Sequence, residues 1–341
     1  MMTFDEFGLI EHLCQQSPRQ GPHVRVGIGD DAAVLTLAVG EEQLVTTDTL
    51  VAGVHFLPQT LSMEDVGYKA VVSSVSDVAA MGGEPRHVLL ALAIPENAAL
   101  LDLEALYEGV AEACREYRCT LVGGDVVHTA GPLVITSTVL GGIPAGTALL
   151  RSGAQQGDVV FVTGRVGGSG AGLALLVDPG PFAVVPEDEW VLQSFHRRPK
   201  AQVEAGLILR QEGAHSCNDI TDGLASELNE LATASRVRLR VDAQRVPVAS
   251  AVRNFARARG QDPLIYAWYG GEDYQLVGTA PPLGFARALA RCASVGIELT
   301  AIGRVEAGDG VVVEWEDGRQ DVLAAKGYNH FPQKSEAEDR G

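Results

Sequence analysis

The stretch Gly142–Asp158, GIPAGTALLRSGAQQGD, divides this chain. It follows one long apolar run, PLVITSTVLGGI (132–143), and leads into another, VVFVTG (159–164). Its glycines, proline and short polar residues are those that end regular elements, so it reads as a boundary between two folding units. A chain of 341 residues suits two domains of about 150 residues each. The expected division is an N-terminal domain over 1–148, a C-terminal domain over 149–331 and a polar tail over 332–341.

Upstream of that boundary, Phe4, Phe7, Ile10 and Leu13 recur at helical spacing and predict an opening amphipathic helix. Short apolar runs at 24–28, 43–47, 86–94, 119–122 and 132–143 predict strands, with helices over about 62–81 and 102–117 between them. Downstream, RVGGSGAGLALLV (165–177) reads as a glycine-rich turn and helix. Helices follow near 200–211, 222–235, 250–259 and 284–294, and strands near 237–241, 273–279, 298–303 and 311–315. Strands alternate with helices but also follow one another directly, which predicts a mixed α+β fold and not a strictly alternating parallel sheet.

Composition narrows the function classes. The chain is 46% hydrophobic and 21% charged, as soluble globular proteins are. No apolar run approaches the roughly 18 residues that span a bilayer, and the start lacks the basic and apolar regions of a signal peptide, so a cytoplasmic protein without a membrane partner is expected. Five cysteines, at 14, 114, 119, 217 and 292, form no CxxC pair and read as small buried apolar residues. The net charge of −18 argues against nucleic acid, which needs a basic face. An acidic protein can still bind phosphates when divalent cations sit between the two.

Acids recur in one kind of place. GIGDDAAV (27–34) carries Asp30 and Asp31, LVTTDT carries Asp48, VVSSVSDVAAMGG carries Asp77, CTLVGGD carries Asp125, and SCNDITDGL carries Asp219 and Asp222. Each lies beside Gly, Ser or Thr, at what reads as the end or start of an element. Taken singly each also fits an ordinary turn or N-cap, Asp222 before Gly-Leu-Ala-Ser-Glu above all. Turns accept Asn or Ser equally well, whereas convergence on shared cations requires carboxylate. Hard Mg²⁺ takes oxygen ligands and bridges carboxylates to phosphates, and phosphoryl transfer is mainly positioning plus charge neutralisation. There is no GxxxxGK[ST], no HRD…DFG set and no GxSxG elbow. The GRVGGSGAG turn lacks clean GxGxxG spacing and a following acid, and reads as close packing and not as a nicotinamide site.

In order, GIGDDAAV, TTDTLVAGVHF (46–56), YKAVVSSVSDVAAMGGEP (68–85), LVGGD (121–125), LLRSGAQQGD (149–158), DITDGL (219–224), GGEDY (270–274) and KGYNHF (326–331) resemble the motifs of the thiamine-monophosphate kinase family over nearly the whole chain. The resemblance implies a two-domain fold like aminoimidazole ribonucleotide synthetase: an N-terminal mixed sheet with helices that forms a homodimer, and a C-terminal α/β domain. It implies ATP-dependent phosphorylation of thiamine monophosphate to thiamine diphosphate, with several Mg²⁺ ions and no phosphoenzyme. Carried over by motif, Asp31, Thr46, Thr47, Asp48, Asp77, Asp125, Asp219 and Asp222 resemble metal ligands, with Asp30 in support. Tyr107, Gly124, Asp125, Arg151 and Thr221 resemble ATP contacts; His55, Glu272 and Tyr328 resemble substrate contacts. A carboxylate and an aromatic face suit a cationic thiazolium. Departures are GGSG where an acid is common, so that Gly168 and Ser169 receive no catalytic role, Asn329 in place of aspartate, and Thr46 in place of serine. A synthetase of the same fold that activates an oxygen with ATP, and an acidic cation-binding protein without turnover, stay open as alternatives.

Overall fold

The computed structural model describes residues 12–13, 15, 21, 23–26, 34–180 and 184–326. Asp30, Asp31, Tyr328 and most of the opening helix lie outside the described residues, as does the tail. A short ribbon pairs β1 (Val24–Val26) with β2 (Val34–Leu35).

The first sheet is built from β3 (Glu41–Val51), β4 (Glu84–Pro95), β5 (Thr120–Thr129) and β6 (Val134–Pro144), in the order β3-β6-β4-β5. Only β4 and β5 run parallel; the other pairs are antiparallel. Helices α1 (Met63–Ala80) and α2 (Leu100–Glu116) belong to the core on one face, with Leu90, Leu92, Leu121, Ile135 and Val139. The other face carries Thr47, Thr49, Val127 and Asp125. Both β3 and β5 run further than their apolar residues suggest, so Asp48 and Asp125 sit inside strands and not at their ends. The β-branched Thr-Thr-Asp-Thr run pairs residue for residue with β6 from Thr46↔Val139 to Thr49↔Thr136, and that ladder outweighs the turn preference of an isolated Asp or Gly.

The second sheet orders β13-β12-β9-β11-β7-β10-β8. Its strands are β7 (Val159–Thr163), β8 (Ser216–Asp219), β9 (Arg238–Asp242), β10 (Leu276–Ala280), β11 (Leu299–Glu306), β12 (Gly310–Glu314) and β13 (Gln320–Val322). Around it lie α3 (Gly168–Val177), α4 (Pro186–Arg197), α5 (Val203–Gln211), α6 (Leu224–Ser235), α7 (Ser250–Ala258), α8 (Leu264–Tyr269) and α9 (Pro282–Ser294). Two of these helices go beyond the sequence reading. In α4 a proline in the first turn is followed by Glu187, Asp188 and Glu189, with His196 and Arg197 at the far end, charges that suit the helix dipole; α8 is too short to show a period. The fold is the expected α+β, and Cys114, Cys119, Cys217 and Cys292 are buried free thiols. Among the described residues no helix is long and apolar enough to cross a membrane.

Helix α1 joins the two halves. Ser62 and Asp65 form a reciprocal capping box at its start, and almost every residue behind them is buried, Lys69, Ser73, Ser74 and Ser76 included. It packs on α2 through glycines on both sides. A Cβ on Gly67 would lie 1.9 Å from the Leu106 carbonyl oxygen, and one on Gly109 1.9 Å from that of Glu64. Gly67→Ala or Gly109→Ala is therefore expected to force the helices apart at a cost of about 1–3 kcal/mol, the range for overpacked cores. Urea titration checks this, with the denaturation midpoint falling while the far-ultraviolet spectrum of the native state is kept.

Candidate active site

Strand and helix periodicities bring the acids together. Thr46 and Asp48, two apart on β3, point to the same face; Ser74 and Asp77, three apart on α1, share a helix face. The pairs interlock crosswise. Thr46 Oγ1 donates to Asp77 Oδ2 through a short hydrogen bond, and Ser74 Oγ donates to Asp48 Oδ2 at 2.9 Å. Asp219 arrives from the second domain at the end of β8; it is buried, and among the described residues its Oδ2 has no hydrogen-bond partner.

These carboxyls sense one another. Burial pushes Asp48 above the ordinary carboxylate range against the Ser74 and Ser73 hydroxyls. Burial and the Asp48 charge push Asp77 up to about 6, opposed by Thr46 and the Arg151 guanidinium. Burial, Asp77 and Asp48 push Asp219 up to about 7. The site thus stores electrostatic repulsion that a cation would relieve.

The loops beside the cluster are laced together. Asn218 Nδ2, Thr221 Oγ1 and the Asp222 N–H all donate to the buried Glu227, at 2.6, 3.2 and 3.1 Å. Burial pushes Glu227 up to about 8, against the donors that favour its charged form. The alternative that Asp222 caps a helix does not hold: Gly223, at φ 105°, takes that position with no side-chain cap, and Asp222 lines the cleft. The 270–275 segment hangs on the same turn, through Glu272 N–H to Thr221 O at 2.7 Å and Tyr274 N–H to Ile220 O at 2.9 Å. Asp273 accepts N–H bonds from Gly167 at 2.5 Å and Ser169 at 3.0 Å. The GGSG turn therefore works as a cradle for a carboxylate from elsewhere in the chain.

Between the domains lies a cleft of about 820 Å³, a size that holds a small molecule. Asp48, His55, Asp77, Arg151, Asp219, Thr221, Asp222, Glu272 and Lys326 line it, with Tyr266, Tyr269 and Tyr274. A neighbouring cavity of about 580 Å³ is lined by Thr46, Ser152 and Asn218 and shares Asp77, Arg151 and Asp219 with the first. His55 Nδ1 accepts the Val51 N–H at 3.0 Å, which assigns the proton to Nε2. Arg151 is held by Asn218 at 3.1 Å and Glu230 at 3.2 Å.

Four sequence-predicted residues stand elsewhere. Asp125 pairs with Ala91, Ala91 with Thr136, and Thr136 with Thr49. That row is one residue out of register with Asp48 and so on the opposite sheet face. It also crosses three strand spacings, about 14 Å. Asp125 and its neighbour Gly124 are exposed there, and within one chain neither joins the acids. Thr47 is on that open face too, its Oγ1 3.0 Å from Thr138 Oγ1. Tyr107 is buried in the N-terminal core beside Leu106 and Val110 and does not line the cleft, on a helix that packs chiefly against α1. Lys69, Ser74, Asn218, Glu227 and Asp273 are the site-forming residues that sequence reasoning passed over. The buried lysine in an apolar helix was the one legible signal among them.

Among the described residues no group of three or more His, Cys, Asp or Glu side chains is ready-made to hold a metal ion. The donor set nevertheless fits Mg²⁺, which is usually held by one or two carboxylates with waters and substrate phosphates in place of a full protein cage. The unpartnered Asp219 Oδ2 and the raised carboxyls are what such an ion would satisfy.

Fold and cleft together define a class. Residues 29–143 match the N-terminal domain, and 155–316 the C-terminal domain, of AIR synthase related proteins. Within that class the chain is 40% identical over 331 residues to a thiamine-monophosphate kinase of Bacillus subtilis, covering 96% of this chain and 99% of the relative. The crystal structure of thiamine-monophosphate kinase from Stenotrophomonas maltophilia superposes with TM-score 0.81 at 35% identity, covering 93% of this chain and 98% of that one. A solved structure described as AaThiL complexed with AMPPCP and TMP gives TM-score 0.76 at 34% identity, covering 97% and 99%. The chain belongs to the thiamine-monophosphate kinase family.

The raised carboxyls make stability depend on pH. Asp77 and Asp219 titrate higher in the folded chain than in the unfolded one, so between about pH 4 and pH 7 the unfolded state binds fewer protons and stability falls as pH rises. In metal-free buffer the melting temperature should fall from about pH 5 to about pH 8. Asp219→Asn should flatten that slope and raise the alkaline value. Mg²⁺ added at the alkaline end should stabilise the unaltered protein more than the variant. Scanning calorimetry reads all three.

Proposed function

We propose that this chain transfers the terminal phosphoryl group of ATP to thiamine monophosphate, giving thiamine diphosphate and ADP. The observation that carries the reading is the meeting of two ligand-sized cavities on Asp77, Asp219 and Arg151. A donor and an acceptor phosphate can approach there from two sides. His55, Glu272 and the tyrosines make the larger cavity the acceptor's place; Thr46, Arg151 and Asn218 make the smaller one suit nucleotide phosphates. Tyr328, one residue past Gly327 and two past the cleft-lining Lys326, is assigned to the acceptor by motif.

Mg²⁺ ions would be held by Asp48, Asp77, Asp219 and Asp222, with Thr46 beside them and Asp31, supported by Asp30, from the motif before β2; they would neutralise the phosphates. The chain's own residues do the rest. Arg151 adds a fixed positive fork to the phosphates, Thr221 offers a hydroxyl, and the Glu227 and Asp273 sockets keep both loops in place. The acceptor phosphate is already ionised at neutral pH, so no side-chain base is required, and binding in line accounts for much of the rate.

A homodimer completes the reading. The open sheet face exposes Val45, Val127, Asp125 and Thr47, and a second copy laid on it would cover the apolar residues and bring another Asp125 and Gly124 near β3. We place the division of domains at 148 and 149. Buried thiols that stay unpaired, Cys114 and Cys119 among them, suit the reducing cytoplasm.

Incubating the protein with ATP, Mg²⁺ and thiamine monophosphate, and separating products by chromatography, tests the reaction; absence of the diphosphate ends it. Asp48→Asn and Asp77→Asn should each lower kcat by about 100-fold or more, the scale for a lost transition-state electrostatic contact, with the melting temperature held or raised. Val127→Glu should turn a sedimenting dimer into a monomer with reduced activity, whereas a wild-type monomer would remove the dimer from this account.

A further inference from the structure

Lys69 is the charged residue buried most completely in α1: its side chain has 0% exposure, and its Nζ lies 2.8 Å from Glu272 Oε2. A buried ammonium is costly unless it is paired, so the pair is a fixed element of the fold. The other polar side chain near that oxygen, His196, has Nδ1 3.7 Å from it. Burial and the Lys69 and Arg197 charges push that imidazole down to about 2, so it is neutral, and Lys69 supplies the positive charge. Glu272 is held by its backbone as well. It has φ 66°, a left-handed conformation uncommon outside glycine, and its N–H is tied to Thr221. Among the described residues both polar contacts of the carboxylate fall on Oε2, which leaves Oε1 to a ligand in the cleft that Glu272 lines.

Helix geometry adds a spacing. Lys69, Ser73 and Asp77 follow one another at i, i+4 and i+8, on one face, and Ser73 and Asp77 line the cleft. Lys69 and Asp77 are therefore separated by about 12 Å of helix rise. One rigid helix carries the anchor of Glu272 at one end and the acid of the phosphoryl-transfer region at the other.

We propose that Lys69 is a positioning residue. It locks the Glu272 carboxylate and cancels its charge, so that Glu272 meets the acceptor's ring system as a hydrogen-bond acceptor for an N–H or O–H group and not as a counter-ion. This rests on the kinase reading above and revises the expectation that the carboxylate matches a cationic ring by charge.

The two roles separate under substitution. If Glu272 acts as counter-ion, Lys69→Met frees a full negative charge and the KM for thiamine monophosphate falls or stays level. If Lys69 positions Glu272, that KM rises by about tenfold or more, the scale of one hydrogen bond to a charged group. The KM for ATP then stays within about twofold, which a general loss of structure would not allow. Should Lys69→Met fail to fold, Glu272→Gln and Glu272→Gln/Lys69→Met decide. Equal KM values for thiamine monophosphate in the two support positioning, because Lys69 then acts only through Glu272; a further rise in the double variant overturns it. An active wild type with an unmoved KM in Lys69→Met removes the Lys69 proposal alone. A wild type that makes no thiamine diphosphate removes the kinase reading first, and this proposal with it.

Discussion

Three carboxyls, Asp219 buried and Asp48 and Asp77 half-buried, held near one another, set the terms for the rest of this structure. Asp48 comes from a strand, Asp77 from the helix packed on it and Asp219 from the other domain. Each is pushed above its ordinary range by burial, and the charges of its neighbours add to the effect on Asp77 and Asp219. Such an arrangement costs folding stability and would be replaced by apolar packing if stability were all that mattered. Its persistence in a chain of net charge −18 makes sense where cations and anionic phosphates complete the site, and the domains meet where those partners would bind.

Holding the acids requires hydrogen-bonding supports from neighbouring elements. Thr46 and Ser74 each give a hydroxyl to the acid on the opposite element, so that strand and helix fix one another. Glu227 gathers the Asn218–Asp222 turn, and Asp273 gathers the GGSG turn. Buried polar groups of this kind specify one arrangement when all their partners are present. They link Asn218 on the smaller cavity, through the Thr221 backbone, to Glu272 on the larger one. Helix α1 runs beneath both, and the glycine contacts that seat it on α2 are part of the same framework.

Much of this was legible in the chain. The change of composition over 142–158 separates the residues of the two sheets, since the first ends at Pro144 and the second begins at Val159. The apolar periodicity located α1, α2, α6, α7 and α9, and the acid-bearing motifs pointed to Asp48, Asp77, Asp219 and Asp222, all of which line one cleft. What failed were local inferences about ends. The apolar runs LVTT and CTLV suggest strands that stop short of Asp48 and Asp125, and Asp222 taken alone also fits a helix cap. A β-ladder made of paired threonines continues past an acid, and Gly223 takes the cap position, in both instances because tertiary partners outweigh a residue's own preference.

By itself the sequence determined that acids, glycines and hydroxyls recur at fixed places in a two-domain α+β chain, because those are properties of residue type and spacing. Only the tertiary structure decided which of them meet. Asp125 shares the motif pattern of Asp48 yet faces the other side of the sheet, since a shift of one residue in register reverses every side chain. Lys69 and Glu272, 203 residues apart, form one ion pair although neither is near the other in sequence. Contacts at such separation are set by how helix, sheet and loop pack, which no local pattern encodes.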